Sequence, residues 1–178
     1  MRIKRTFTFI AVIVAILFLS IGYAAISNIT LTVTGTATTS TSDADFSVAY
    51  VTGTNPTISG GTTAAAYSNG TAATMSVALS SGNPNGSAIF TIKNNSATLN
   101  ALLTATVSNN FASQYQDYLE VNQNAIYSDA GCTTALSGSL AAGGTAYLKV
   151  NVHLKKAPLA DITDGTFTVT VTAVPTES

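Results

Sequence analysis

The sequence contains few charged residues, one histidine, one cysteine and no tryptophan. Charged residues make up 8% of the 178 residues, whereas an ordinary soluble domain carries about 25%. A zinc site built from histidine and cysteine would lack ligands, and a histidine-dependent hydrolase would have to rely on His153 alone. The lone Cys132 cannot form a disulfide within the chain, and its neighbours in 129–134 include no His or Lys to activate it. We therefore expect no enzymatic activity, no metal and no cofactor.

Basic residues are scarce as well. Seven Lys and Arg residues stand against eight Asp and Glu residues, which gives a net charge of −1. A nucleic-acid-binding surface needs a high density of basic side chains, so we expect no nucleic-acid partner. Apolar residues make up 46% of the chain, and 29 Thr and 18 Ser fill much of the remainder. This apolar content is typical of a folded chain rather than of a disordered one.

The N-terminal segment has the organisation of an export signal. Residues 1–5 include three basic side chains, and a nearly continuous apolar run follows over 6–21. Gly22 and Ala24 then place small residues at the −3 and −1 positions of a cleavage site, and cleavage after Ala25 is a second option. The apolar run is shorter than the roughly 20 residues that a membrane span needs. We therefore expect cleavage, secretion to the cell surface or medium, and membrane contact only before cleavage.

Beyond this segment, apolar and polar residues alternate with a period of two, as in half-buried strands. The clearest cases are 30–38 and 166–173, in which threonine fills the polar face, and 147–154. Threonine is β-branched, which favours strands, and its hydroxyl makes an exposed strand face polar and hydrated without adding charge. Weaker strand patterns occur at 46–50, 75–79, 88–92, 100–108 and 117–127.

These patterns predict an all-β fold, a two-sheet sandwich of the jelly-roll or immunoglobulin-like kind with about eight strands. One short helix is predicted over 110–119, because four apolar residues there follow helical spacing, namely Phe111, Tyr115, Tyr118 and Leu119.

The predicted organisation has three parts. Residues 1–24 form the signal peptide, 25–40 an N-terminal strand segment, and 41–178 the sandwich domain. Within that domain, the Gly- and Thr-rich segment 52–71 is expected to be a long loop.

Few residues form a pattern that indicates chemistry. Asp43 and Asp45 have the spacing of two calcium ligands, but two solvated acids at the start of a strand explain them better. Asp161 and Asp164 bracket a turn and are expected to cap it through hydrogen bonds to nearby backbone amides. His153 falls on the polar face of its strand and is expected to be a surface residue.

The junction Ser20-Ile-Gly-Tyr-Ala-Ala-Ile-Ser27 resembles the signal peptides of TasA-type secreted proteins of Gram-positive bacteria, which end in a Gly-(x)-Tyr-Ala motif. The strand that follows at 31–38 is similar to the first strand after that junction in this family. Further similarity lies in a strand running into 93–95, in the glycine turn and strand of 140–149, and in the terminal strand 167–173.

The resemblance implies an extracellular fibre or biofilm-matrix subunit that assembles with copies of itself by donor-strand exchange. A sandwich lacking one strand exposes backbone hydrogen-bonding groups and an apolar groove, which a neighbour's N-terminal strand fills. Residues 26–38 are the best donor candidate because they are terminal, strand-patterned and uncharged, with an apolar face formed by Ile29, Leu31, Val33 and Ala37. A head-to-tail contact of this kind does not close and so builds filaments. The residues equally allow this segment to be the first strand of its own monomer.

Two other functions stay open. In a type IV pilin-like subunit, 6–25 would be retained as a packed helix, and the mature chain would begin near Thr6 rather than Ala25. In a surface adhesin with a carbohydrate-binding sandwich, exposed aromatic rings would stack on sugars, and the tyrosines of this chain are scattered.

Overall fold

The protein folds into strands alone throughout the described residues. The computed structural model describes residues 26–37, 46–108, 116–156 and 166–177, and these contain ten strands and no helix. The strands are β1 Ile26–Ala37, β2 Val48–Tyr50, β3 Thr57–Gly60, β4 Thr62–Asn69, β5 Ala72–Leu79, β6 Asn85–Asn94, β7 Asn100–Ser108, β8 Leu119–Tyr127, β9 Thr145–Leu154 and β10 Thr166–Thr176. The predicted all-β class is confirmed.

Two five-stranded sheets contain these strands. Sheet A has the order β4-β5-β1-β10-β7, and sheet B has the order β2-β6-β9-β8 with β3 also paired to β6. The pairing of β1 with β10 is parallel, and every other described strand pairing is antiparallel.

The predicted alternation appears directly in the burial of the strands. In β5, Met75, Val77 and Leu79 are buried while the residues between them are half-exposed. β6 and β9 follow the same pattern, with Phe90 and Leu148 among the side chains that are fully buried. Because successive side chains of a strand point to opposite faces, one face of each of these strands is core and the other is solvated.

One hydrophobic core joins residues of both sheets. At one side of it, Tyr50, Tyr67 and Phe90 form an aromatic cluster with ring centroids 5.8 to 6.2 Å apart. The Tyr67 hydroxyl accepts a hydrogen bond from the Thr91 backbone N–H at 2.7 Å. β2 pairs with residues 92–94 of β6 and β3 pairs with residues 86–89, so Thr91 lies in the gap between these two partners. The Tyr67 hydroxyl therefore supplies the hydrogen-bond acceptor that the Thr91 N–H does not find in either strand.

The prediction of a long loop over 52–71 is wrong, because β3 and β4 lie within it. β3 pairs with β6, and β4 pairs with β5 through two register shifts. Their residues are mostly small and exposed, so they lack the large alternating apolar side chains from which strands are recognised. These two strands account for the difference between about eight predicted strands and the ten observed.

The predicted helix over 110–119 falls largely outside the described residues. Within them, the chain turns at 116–118, and Leu119 begins β8. The pattern in 117–127 that predicted a strand is confirmed by β8, whose Leu119 and Val121 are buried.

Candidate functional site

The position of β1 in sheet A is the candidate functional site. The four predicted donor residues, Ile29, Leu31, Val33 and Ala37, all lie on this strand. β1 is antiparallel to β5 on one side and parallel to β10 on the other. A segment that precedes the rest of the described chain therefore occupies the centre of a five-stranded sheet.

The register places the four donor positions opposite buried residues. Position 29 pairs with Val77, position 31 with Met75, position 33 with both Ala73 and Val169, and position 37 with Ala173. Each of those five partners is at most 2% exposed. The backbone register therefore sets the four donor positions opposite residues that line the core.

β1 holds the two halves of sheet A together. On one side of it stands the β4–β5 pair, and on the other the β10–β7 pair. Without β1 the facing edges of β5 and β10 would expose unpaired backbone N–H and C=O groups beside buried apolar side chains. The slot between β5 and β10 thus offers both features that strand addition uses, namely unpaired backbone N–H and C=O groups along its two edges and buried apolar side chains beside them.

β1 pairs within its own chain in this structure. The sequence left this arrangement open beside pairing with a neighbouring copy. Pairing with a neighbouring copy would use the same slot and the same register, because the strand and its two partner strands are identical in every copy. Pairing of β1 with a neighbouring copy stays a prediction.

No protein-family model, curated protein or solved structure matches the chain.

Several candidate residues lie outside the described part of the chain. These are the predicted signal segment with the cleavage residues Ala24 and Ala25, and the acidic pairs Asp43 with Asp45 and Asp161 with Asp164. Over 26–37, 46–108, 116–156 and 166–177, no helix is long and apolar enough to cross a membrane. The same ranges hold no group of three or more His, Cys, Asp or Glu side chains arranged to bind a metal ion.

Cys132 lies in a tight loop organised by Asp129. The Asp129 carboxylate accepts backbone hydrogen bonds from Thr134 at 2.6 Å and Thr133 at 3.1 Å, and these bonds lower the pKa of its carboxyl group. Cys132 has a backbone φ of 52°, which the surrounding loop imposes on it. Burial raises the pKa of its thiol, so less of the reactive thiolate is present at neutral pH.

Asn94 has a structural role that the sequence did not reveal. Its side chain is fully buried, and its amide nitrogen donates to the backbone carbonyls of Leu99 at 2.8 Å and Ala141 at 3.1 Å. Its amide oxygen accepts the Ser96 backbone N–H at 3.1 Å. Asn94 thus ties the turn after β6 to the loop before β9. In the sequence the pair Asn94–Asn95 indicated only a turn, because nothing local distinguishes a buried asparagine from an exposed one.

Proposed function

We propose that the protein is a secreted, non-enzymatic structural subunit of an extracellular fibre or biofilm matrix, and that it assembles by exchange of β1 between copies. The observation that supports this proposal is the position of β1 between β5 and β10. After cleavage of the predicted signal at Ala24, β1 begins at the second residue of the mature chain. A terminal strand can leave its slot and enter a neighbour's slot without threading the rest of the chain.

Exchange of β1 between copies costs little energy in the folded contacts. The same backbone ladders with β5 and β10 form whether β1 comes from its own chain or from a neighbour, so exchange changes little in the strand pairing. Residues 38–45 connect β1 to the remainder of the chain, and this connection has to extend to the neighbour. Because each copy gives one strand and receives another, the contact is head-to-tail and continues into a filament.

We also infer that the two sheets form a β-sandwich of the jelly-roll or immunoglobulin-like kind. The support is the hydrophobic core, in which the buried faces of β5 and β10 from sheet A and of β6 and β9 from sheet B belong to one cluster. A sandwich closed in this way needs sheet A intact, which gives β1 its importance for the whole domain.

The charge pattern supports assembly. The strands at the two ends of sheet A, β4 and β7, contain no charged residue and no proline. Natural monomers commonly protect sheet edges with lysine, proline or other charged side chains. A subunit that associates with copies of itself has no need of that protection.

A disulfide that fastens β1 to its own β5 tests the proposal. Thr32 and Thr74 are cross-strand partners, and Thr74 is half-exposed on the outer face. We expect the Thr32→Cys/Thr74→Cys variant, in a Cys132→Ser background, to form no filaments in negative-stain electron microscopy when it is oxidised as a monomer. Reduction should restore filament formation, because β1 is then able to exchange.

The matched control places the disulfide between β7 and β10. Thr104 and Thr172 are cross-strand partners in the same sheet, and a bond between them leaves β1 untouched. We expect this variant to form filaments in both redox states. Filaments from the oxidised Thr32→Cys/Thr74→Cys monomer as abundant as those of the control would contradict donor-strand exchange.

A further inference from the structure

We propose that the outer face of sheet B carries a binding site for a neutral oligosaccharide. A shallow cavity of about 330 Å³ opens there, lined by residues of four strands. Its polar side chains are Ser59 of β3, Asn85 and Ser87 of β6, Asn151 and His153 of β9, and Asn122 of β8. This face is distinct from the β1 slot, because β1 belongs to sheet A.

The strand register brings these side chains together. Ser59, Ser87, Asn151 and Asn122 are successive cross-strand partners and form one row across the sheet. In the adjacent row, Asn85 is the cross-strand partner of His153. Residues that are far apart in the chain thus present amide, hydroxyl and imidazole groups on one surface.

The close approach of β3 and β6 leaves one end of the cavity uncovered. Gly60 has a left-handed φ of 62°, and a Cβ atom added to it would lie 2.2 Å from the carbonyl oxygen of Asn85. Only glycine fits this position, so no side chain at residue 60 extends over the cavity.

Two hydrogen bonds order the polar groups in advance. The hydroxyl oxygens of Ser59 and Ser87 are 2.7 Å apart, and Nδ1 of His153 lies 2.6 Å from Oδ1 of Asn85. The Asn85 amide oxygen can only accept a hydrogen bond, so Nδ1 of the neutral His153 imidazole carries the proton. Nε2 of the same ring is then an acceptor. Such ordering lowers the entropy that a ligand would otherwise lose on binding.

Unused hydrogen-bonding capacity lies beside these ordered groups. The carboxamides of Asn122 and Asn151 are cross-strand neighbours and make no hydrogen bond with any described residue. Each carboxamide offers both donors and acceptors. A saccharide hydroxyl is also both a donor and an acceptor. It can therefore donate to the oxygen of either carboxamide or accept from its NH₂ group.

The lining is uncharged, and the two charged residues beside it on the same face, Glu120 opposite His153 and Lys149 two residues from Asn151, have opposite signs. The cavity lining contains no Asp, Glu, Lys or Arg side chain. A phosphate ligand would favour cationic partners, and a divalent cation would favour carboxylates. Neutral donors and acceptors of mixed type favour a neutral polyhydroxyl ligand.

Two tyrosines lie farther along the same face, beyond Lys149 and outside the cavity itself. Tyr147 and Tyr127 are cross-strand partners on the same outer face, and Tyr147 is four residues from Asn151, a separation of roughly 13 Å along a strand. The aromatic ring of each tyrosine can stack on the apolar face of a sugar ring, and its hydroxyl can form a hydrogen bond with a sugar hydroxyl. The length of the surface fits an extended oligosaccharide, and filament assembly would repeat it many times and raise its avidity.

The single histidine makes the proposal testable on the full chain. The ¹³C-labelled imidazole signal of His153 is followed during titration with cellotetraose, maltotetraose, chitotetraose and inorganic phosphate. We expect a saturable shift with at least one saccharide at millimolar concentration and none with phosphate. A chain that shows no saturable shift with any of the three saccharides, or shifts with phosphate alone, overturns the proposal.

Substitutions locate the site. The double variant Asn122→Thr/Asn151→Thr introduces β-branched residues that suit strands and should weaken saccharide binding about tenfold or more, because two hydrogen-bonding amides are lost. The control Thr145→Ala lies on the same strand outside the cavity and should bind like the unmodified chain. Equal binding by the double variant and the control would overturn the assignment, provided that both unfold at the same temperature.

Discussion

The tyrosines Tyr50 and Tyr67 lie in one aromatic cluster, but their hydroxyl groups differ in what they contact. The Tyr67 hydroxyl accepts the Thr91 backbone N–H. The Tyr50 hydroxyl is buried and has no hydrogen-bond partner among the described residues, and burial raises the pKa of this hydroxyl well above its ordinary range. The same chemical change at the two positions therefore has different consequences.

We predict that Tyr67→Phe lowers the free energy of unfolding by about 1 to 2 kcal/mol, because it leaves the Thr91 N–H without its partner. Tyr50→Phe removes a hydroxyl that has no hydrogen-bond partner among the described residues, so it should be neutral or stabilising by up to about 1 kcal/mol. Urea denaturation of the two variants measures the difference. A larger loss of stability for Tyr50→Phe than for Tyr67→Phe would contradict these hydroxyl assignments.

Asn94 should be the most sensitive polar residue of the core. Asn94→Ala removes the bonds to Leu99, Ala141 and Ser96, and we expect a loss of about 3 kcal/mol because buried backbone groups lose their partners. Asn94→Asp should be at least as harmful, since a carboxylate would then face carbonyl oxygens. The matched control is Asn95→Ala at the neighbouring exposed position. Equal urea midpoints for the Asn94 variants and the control would refute this role.

The Asp129 loop should depend on pH. Because folding lowers the pKa of Asp129, its stabilising hydrogen bonds are fully present above the carboxyl group's unfolded pKa and are lost as pH falls through the lower folded value. We expect the amide signals of Thr133 and Thr134 to shift and to exchange faster with solvent over that acidic interval. Asp129→Asn keeps an acceptor oxygen but cannot titrate, so its loop signals should show no such step in an NMR pH series.

At the scale of elements, the sequence was most informative where large apolar residues alternate. β5, β6 and β9 were predictable because Met75, Phe90 and Leu148 and their alternating neighbours mark a buried face. β3 and β4 were not, because their residues are mostly small and exposed, and their strand character comes from pairing with β6 and β5. Local sequence does not encode such pairing when side-chain size is uniform.

The candidate site was predictable only in part. The alternation in β1 indicated a strand, and the charge-free sequence Ile26–Ala37 made it a candidate for assembly. Its parallel pairing with β10 joins the two ends of the described chain, and no local pattern specifies a partner so far along the sequence. Residues of the outer face of sheet B were similarly unrecognisable, because the cavity depends on the register of four strands.

Removal of β1 should unfold the domain, and supplying the strand as a separate peptide should restore the fold. A chain beginning at residue 41 has lost the strand that joins β5 to β10, so we expect it to lack cooperative unfolding and to aggregate. A synthetic peptide of residues 25–40 added during refolding should restore the cooperative transition, as measured by circular dichroism and a thermal melt. A peptide of the same composition in scrambled order serves as the control. Cooperative folding of the shortened chain without any peptide would show that the slot does not need β1.

At the scale of the whole molecule, the two proposals use different sheets. Sheet A contains the slot for β1, and sheet B carries the polar cavity on its outer face. A filament built through sheet A would therefore present the sheet B surface of each subunit. This division predicts that Asn122→Thr/Asn151→Thr leaves filament formation unchanged while it weakens saccharide binding. Electron microscopy of the double variant checks it, and loss of filaments would show that the two faces are not independent.

Donor-strand exchange is tested most sharply when the Thr32→Cys/Thr74→Cys variant is cross-linked after assembly instead of before it. Reduced protein in the Cys132→Ser background is assembled, oxidised and then run on a denaturing gel without reductant. If β1 of one copy fills the slot of the next, the disulfide joins residue 32 of one chain to residue 74 of another, and the gel shows a ladder of covalent multimers. If β1 stays in its own sheet, the same disulfide forms within each chain, and a single monomer band from assembled filaments contradicts the account.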